Sequence, residues 1–155
     1  MNAPKIVTLE AKRIVGMKSQ MLRHQFENIV GLWKQFMPRR HEISNAVGNE
    51  FIALQDYKHP SNPNLPFDIW AAIEVSNEAL IPEQMQSFVI PEGLYAVFLH
   101  KGMDAAKTYQ YITQDWLPTS GYAIDHRPHF QVMGEKYKNG SPDSEEDFYV
   151  PIVKP

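Results

Sequence analysis

The nonapeptide Phe67–Val75, FDIWAAIEV, sorts its side chains in a way that could support chemistry. In an extended strand, alternate residues point to opposite faces. Phe67, Ile69, Ala71, Ile73 and Val75 then share an apolar face, and Asp68, Trp70, Ala72 and Glu74 share the other. The C-terminal run DFYVPIV sorts likewise, with Phe148, Val150 and Ile152 on one side and Tyr149 and Pro151 on the other. Between them, HFQVM places Phe130 and Val132 on one face and Gln131 and Met133 on the opposite one. Aromatic walls with a few polar groups are the usual make-up of a small-molecule pocket. With Trp70 and Tyr149 as walls and Glu74 and Gln131 as polar points, the chemistry is recognition of an aromatic ligand. A solvated sheet face carrying two surface aromatics fits the same alternation.

Other reactive patterns are weaker. His126 and His129 flank Arg127-Pro128, which forbids a regular helix, and His100 stands alone, so no metal site is expected. The chain has no cysteine, no glycine-rich nucleotide loop and no Gly-x-Ser-x-Gly elbow. No cofactor and no catalytic residue is therefore assigned. Asp143 to Asp147 lacks the ligand spacing of a calcium loop and reads as a solvated acidic turn. Asn139-Gly140-Ser141 matches a glycosylation sequon but reads better as a turn.

The elements that must position these residues follow from periodicity. Residues 5–22 read as a strand ending near Ser19. Phe26, Ile29, Val30, Trp33, Phe36 and Met37 then recur at helical spacing up to Pro38. Phe51–Tyr57 and Phe67–Val75 are strands separated by a proline-rich loop, and Ser76–Gln86 is a connector. The order recurs in the second half. Leu94–Leu99 is a strand after the Pro91-Glu92-Gly93 turn, and Asp104 is a plausible N-cap. Ala105, Thr108, Tyr109, Ile112 and Trp116 mark a helix face stopped by Pro118 and Gly121, and two more strands follow. A β-α-β-β order repeated at roughly eighty residues predicts an internal duplication, about 5–76 and 86–153, within a single domain of 155 residues. The fold class expected is α+β: two pseudo-symmetric modules with antiparallel sheets, outer helices and a central ligand groove.

The net charge of −3 and the absence of a basic stripe argue against direct nucleic-acid binding. No window is apolar enough for a membrane helix or a signal peptide, so a cytoplasmic protein is expected.

Four segments, PEGLYAVFLHKG, WLPTSGY, DHRPHFQVMGEKY and SPDSEEDFYVPIV, resemble in order the GyrI-like small-molecule-binding domain. That domain is also the effector-binding half of some AraC-type and multidrug-responsive transcription regulators. The resemblance implies a groove between two modules that takes bulky, hydrophobic, often cationic compounds. It implies a standalone sensing or sequestering protein; the alternatives are a hydrolase of electrophilic natural products on the same fold, and a gyrase-inhibitor-like interaction protein. The ligand-contact set expected is Trp70, Glu74, Tyr95, Phe98, Trp116, Gln131 and Tyr149. The family often carries a glutamate where this chain has Gln131, so Glu74 is the candidate to supply the missing charge. In the hydrolase alternative, Glu74 would activate water with Tyr95 or Tyr149 assisting.

Overall fold

The structure is a computed structural model that describes residues 3–76, 80–138 and 140–155. Asn139 of the sequon and residues 77–79 of the connector lie outside the described residues. The elements run β1 (Lys5–Leu9), β2 (Lys12–Met21), α1 (Phe26–Phe36), a 3-10 turn (Met37–Glu42), β3 (Phe51–Asp56) and β4 (Phe67–Val75). The second half has β5 (Gln86–Ile90), β6 (Gly93–Lys101), α2 (Ala105–Gln110), a π-helical turn (Tyr111–Trp116), α3 (Leu117–Ser120), β7 (Ala123–Ile124), β8 (His129–Met133) and β9 (Glu145–Val153).

The fold is α+β, with one large antiparallel sheet in the order β1-β6-β9-β8-β3-β4-β2-β5 and β7 paired to the end of β9. This order maps onto itself when β1 exchanges with β5, β2 with β6, β3 with β8 and β4 with β9. Each β-α-β-β unit thus lends its leading strand to the far edge of the other unit. The two sheets expected from the sequence are fused into one by the β3–β8 pairing, Phe51–Gln55 against His129–Met133. The single strand expected over residues 5–22 is in fact two. It breaks at Glu10-Ala11, and β1 and β2 go to opposite ends of the sheet.

Those short breaks bend the sheet. β1 and β2 are six strand spacings apart in the order, as are β5 and β6. Flat, that distance would be ~29 Å. Two intervening residues reach only ~11 Å between Cα atoms. The sheet must therefore roll until its ends approach, and the residues of one core show that it does. Ile14 and Ile90, from one end, pack with Tyr95, Val7 and Leu9 from the other, around Ile52, Leu54, Trp70 and Phe130. Close approach of β2 to β4 depends on Gly16, where a Cβ would lie 2.0 Å from the Ala71 carbonyl oxygen.

Both helices cover the outer face. Trp33 of α1 packs edge-on against Phe51, and Gln131 bonds to Tyr109 of α2. Phe51, Ala53 and Gln131 lie on one side of the β3–β8 ladder, since paired residues share a face. Leu32 and Phe36 of α1 bury against Met17, Ile69 and Ile73. Phe26 and Val30, expected on the buried stripe, are 67% and 53% exposed. α1 ends at Phe36 with Met37 as its C-cap, immediately before Pro38 as expected, and the chain tightens into the 3-10 turn in which Pro38 is the second residue. In the second helix Asp104 caps Lys107 N–H at 3.1 Å, as expected. That helix runs past Pro118 to Gly121, whose φ of 79° ends it. Widening to a π turn, with Leu117 N–H bonded to the Ile112 carbonyl, takes the place of the α register just before the proline. Among the described residues no helix is long and apolar enough to cross a membrane.

His129 sits on the outer face between Tyr57 and Tyr109, its Nδ1 without a hydrogen-bond partner among the described residues. Burial pushes its pKa down to about 4, so the ring is neutral in the fold. Its ordinary value is 6.5, and stability that is complete above that value falls as the pH drops towards about 4. Melting His129→Phe beside the parent protein across this window should show a smaller acid loss in the variant. Gly16→Ala should lower the melting temperature, with a cost on the order of 1–3 kcal/mol for the overpacked strand contact.

Candidate functional site

The registers set out the inner face in rows. Lys18, Trp70, Leu54, Phe130, Tyr149 and Val97 are successive partners across the sheet. In this row Trp70 and Tyr149 lie symmetrically about the β3–β8 pair. Phe130 and Tyr149 stack nearly parallel, with centroids 4.5 Å apart and planes 9° from each other. The next row holds Ala72, Ile52, Val132, Asp147 and Leu99. Beyond it, Glu74 is opposite Ile14, one of the inner core residues.

A cavity of about 200 Å³ opens above the stacked pair, lined by Lys12, Val47, Gly48, Glu50, Ile52, Glu74, Phe130, Val132, Asp147 and Tyr149. A more open hollow of about 550 Å³ shares Glu50, Val132 and Asp147 and extends over Leu99, Gly134, Glu135, Lys136, Glu145 and Glu146. Together they form one groove. Its described lining carries the carboxylates Glu50, Glu74, Glu135, Glu145 and Asp147 against Lys12 and Lys136, whereas Glu146, at the rim, has the parity of Phe148 and turns its carboxyl to the helix-covered face. Lys12 Nζ is 3.3 Å from Glu74 Oε1, and Lys136 is 3.8 Å from Glu145. Burial raises the Asp147 carboxyl above its ordinary range and pushes Glu146 up to about 7. The Tyr149 hydroxyl is raised as well, first by burial and then by Asp147. An acidic groove over stacked rings can attract a cation through both charge and ring faces.

The expected site residues divide between the two faces. Trp70, Glu74, Tyr95 and Tyr149 face inward, but only Glu74 and Tyr149 line the groove. Trp70 is 4% exposed, packed on Phe88 with the Lys18 ammonium 6.0 Å from its ring centroid. Tyr95 is fully buried beneath the Arg127 guanidinium, and its hydroxyl donates to the Pro91 carbonyl at 2.8 Å. That bond leaves Tyr95 unable to assist a water at Glu74. These two rings form the floor under the groove.

Phe98, Trp116 and Gln131 are corrections, because all three lie on the helix-covered face. Phe98 belongs to the core under α2, and Trp116 meets it edge-on at 5.2 Å while stacking on Tyr122. Gln131 exchanges two 2.8 Å hydrogen bonds with Gln55 and donates a third, at 2.9 Å, to the Tyr109 hydroxyl. The inward residues of β8 are Phe130 and Val132. Alternation had separated the two sets correctly, but a glutamine among apolar neighbours suggested the free face, whereas it satisfies polar partners under the helices.

Sequence reasoning missed Lys12, Glu50, Phe130, Val132 and Asp147. Asp147 opens the run DFYVPIV and shares the parity of Tyr149, the signal that could have found it; β9 begins at Glu145 and puts Asp147 in register with Val132. Among the described residues no group of three or more His, Asp or Glu is arranged to hold a metal.

A rolled antiparallel sheet with two outer helices and an open inner groove defines an effector-binding domain of the GyrI-like class. Residues 5–152 match the family of integron-associated effector-binding proteins, Cass2, and the chain belongs to that family. Transcriptional regulator BrlR of Pseudomonas aeruginosa is 29% identical over 95% of this chain, which spans 60% of BrlR's length. The C-terminal domain of EcmrR superposes with a TM-score of 0.71 at 15% identity, covering 98% of both chains. SAV2435, whose structure was solved bound to tetraphenylphosphonium, superposes with a TM-score of 0.73 at 12% identity, covering 97% of this chain and 93% of its own. At such identities these two likenesses establish a shared fold.

Replacing Gln131 with glutamate would bury a carboxylate in the Gln55–Tyr109 network. Gln131→Glu should lower the melting temperature at pH 7 and recover stability towards pH 5, as the carboxyl takes a proton. An unchanged melting profile would place residue 131 in solvent.

Proposed function

We propose that this chain is a receptor or sequestering domain for bulky aromatic cations, taken into the groove above Phe130 and Tyr149. The single observation that carries the reading is the stacked pair at the base of a concavity whose charged lining is mostly carboxylate. Rings of the ligand would lie against Tyr149, which the fully buried Phe130 backs from below. Its charge would be shared among Glu50, Glu74 and Asp147. The naming of tetraphenylphosphonium as the ligand of SAV2435 supports a lipophilic cation on this fold. Trp70 and Tyr95 would shape the floor. Lining carboxylates disfavour phosphate, so direct contact with nucleic acid forms no part of this reading. We further read the chain as one cytoplasmic domain built by duplication of segments about 5–76 and 86–153.

Titration with tetraphenylphosphonium, followed by calorimetry, tests the proposal. Tyr149→Ala should weaken binding by about 1–2 kcal/mol, the order of an aromatic–cation contact shielded from water. Trp116→Phe, on the other face, should leave affinity unchanged. Equal losses from both, or none from Tyr149→Ala, would remove the ligand from the groove.

A further inference from the structure

Lys12 stands apart from the other charges of the groove. It is the first residue of β2, directly after the Glu10-Ala11 link, and its parity is that of Ile14, so it points inward. The ammonium reaches across to Glu74, both side chains being about 30% exposed. It is the one cation among the described residues lining the smaller cavity, beside three carboxylates. Glu50 and Asp147 make no comparable ion pair there, while Glu74 already holds one.

From this geometry we infer that Lys12 is a tethered competitor for the ligand's charge. The inference rests on the proposed cation-binding groove. In the empty protein Lys12 occupies Glu74, the carboxylate nearest the outer rim of β4. A cation that enters must take over Glu74 and release the ammonium to solvent. Release is sterically easy: the lysine stem is flexible, 31% exposed and anchored at a strand end. A neutral compound enters without disturbing the pair. Lys12 therefore reduces the groove's preference for cations over neutral compounds and sets the affinity below which a weakly charged ligand is ignored. The attraction displaced is that of a half-exposed pair, which corresponds to a change in affinity of up to about fivefold.

The test uses three probes of similar shape: tetraphenylphosphonium, neutral triphenylphosphine oxide and anionic tetraphenylborate. Lys12→Met should bind tetraphenylphosphonium about three- to fivefold more tightly than the parent protein, with triphenylphosphine oxide unchanged. Lys12→Arg keeps the competitor and should retain parental affinities. In a Glu74→Gln background the gain from Lys12→Met should vanish. A readout independent of affinity is the acylation rate of Lys12 by mass spectrometry, which should rise when tetraphenylphosphonium is bound. Weaker phosphonium binding by Lys12→Met would make Lys12 a ligand contact and overturn the inference. Loss of a groove cation should weaken an anion, so tighter tetraphenylborate binding by that variant than by the parent protein would overturn it too. So would an unchanged phosphonium affinity in Lys12→Met alongside a loss in Glu74→Gln, with the groove reading left intact. Absence of phosphonium binding by the parent protein would instead overturn the groove reading itself.

Discussion

Two chain links, Glu10-Ala11 and Pro91-Glu92, control the whole architecture, because each joins strands at opposite ends of the sheet. A flat sheet cannot satisfy either link, so the sheet rolls and acquires an inside. The inside is then too small for eight strands of bulky residues, and it is filled by Trp70, Tyr95, Phe130 and aliphatic side chains at one level only. Above that level the space stays open, and the groove is what remains. Gly16 belongs to the same constraint, since the tightest contact between β2 and β4 has room for no side chain.

The joint between the halves is polar. Gln55 and Gln131 face each other across the β3–β8 ladder and exchange amide hydrogen bonds, while Tyr109 ties the pair to α2. Each buried amide there has a partner, which is the condition for polar groups to stabilise an interior. A neutral side chain suits this place and a carboxylate would not. On the inner face Glu50, just before β3, converges with Glu74 of β4 and Asp147 of β9. A chain of modest net charge thus concentrates negative potential in one concavity, where low-dielectric walls strengthen it.

Much of this was legible in the residues. Alternation in Phe67–Val75 and Asp147–Val153 assigned faces correctly, because each strand has one face wholly apolar and packed under a helix. Repetition of strand and helix signals anticipated the order of elements. What could not be read was curvature and the partner of each edge. Residues 5–22 look like one strand, since nothing in Glu10-Ala11 announces that the flanking segments separate by six strands. Face assignment failed at β8 for a related reason. With Phe130, Gln131 and Val132 alternating, either side could be the covered one, and the choice was settled by Gln55 and Tyr109, which are distant in sequence. Phe98 and Trp116 were misplaced because large aromatics serve a helix–sheet core as readily as a ligand wall. Glu50 lies just before β3, where local composition marks a loop.

The central claim is that ligand recognition takes place on the inner face of the rolled sheet. A crystal structure of the protein soaked with tetraphenylphosphonium tests it most directly. Phenyl rings should lie against Tyr149, above the buried Phe130, with the phosphonium centre nearer to Glu74, Glu50 and Asp147 than to any other carboxylate. Phosphonium seated on the helix-covered face, beside Trp116, Phe98 or Gln131, would contradict it.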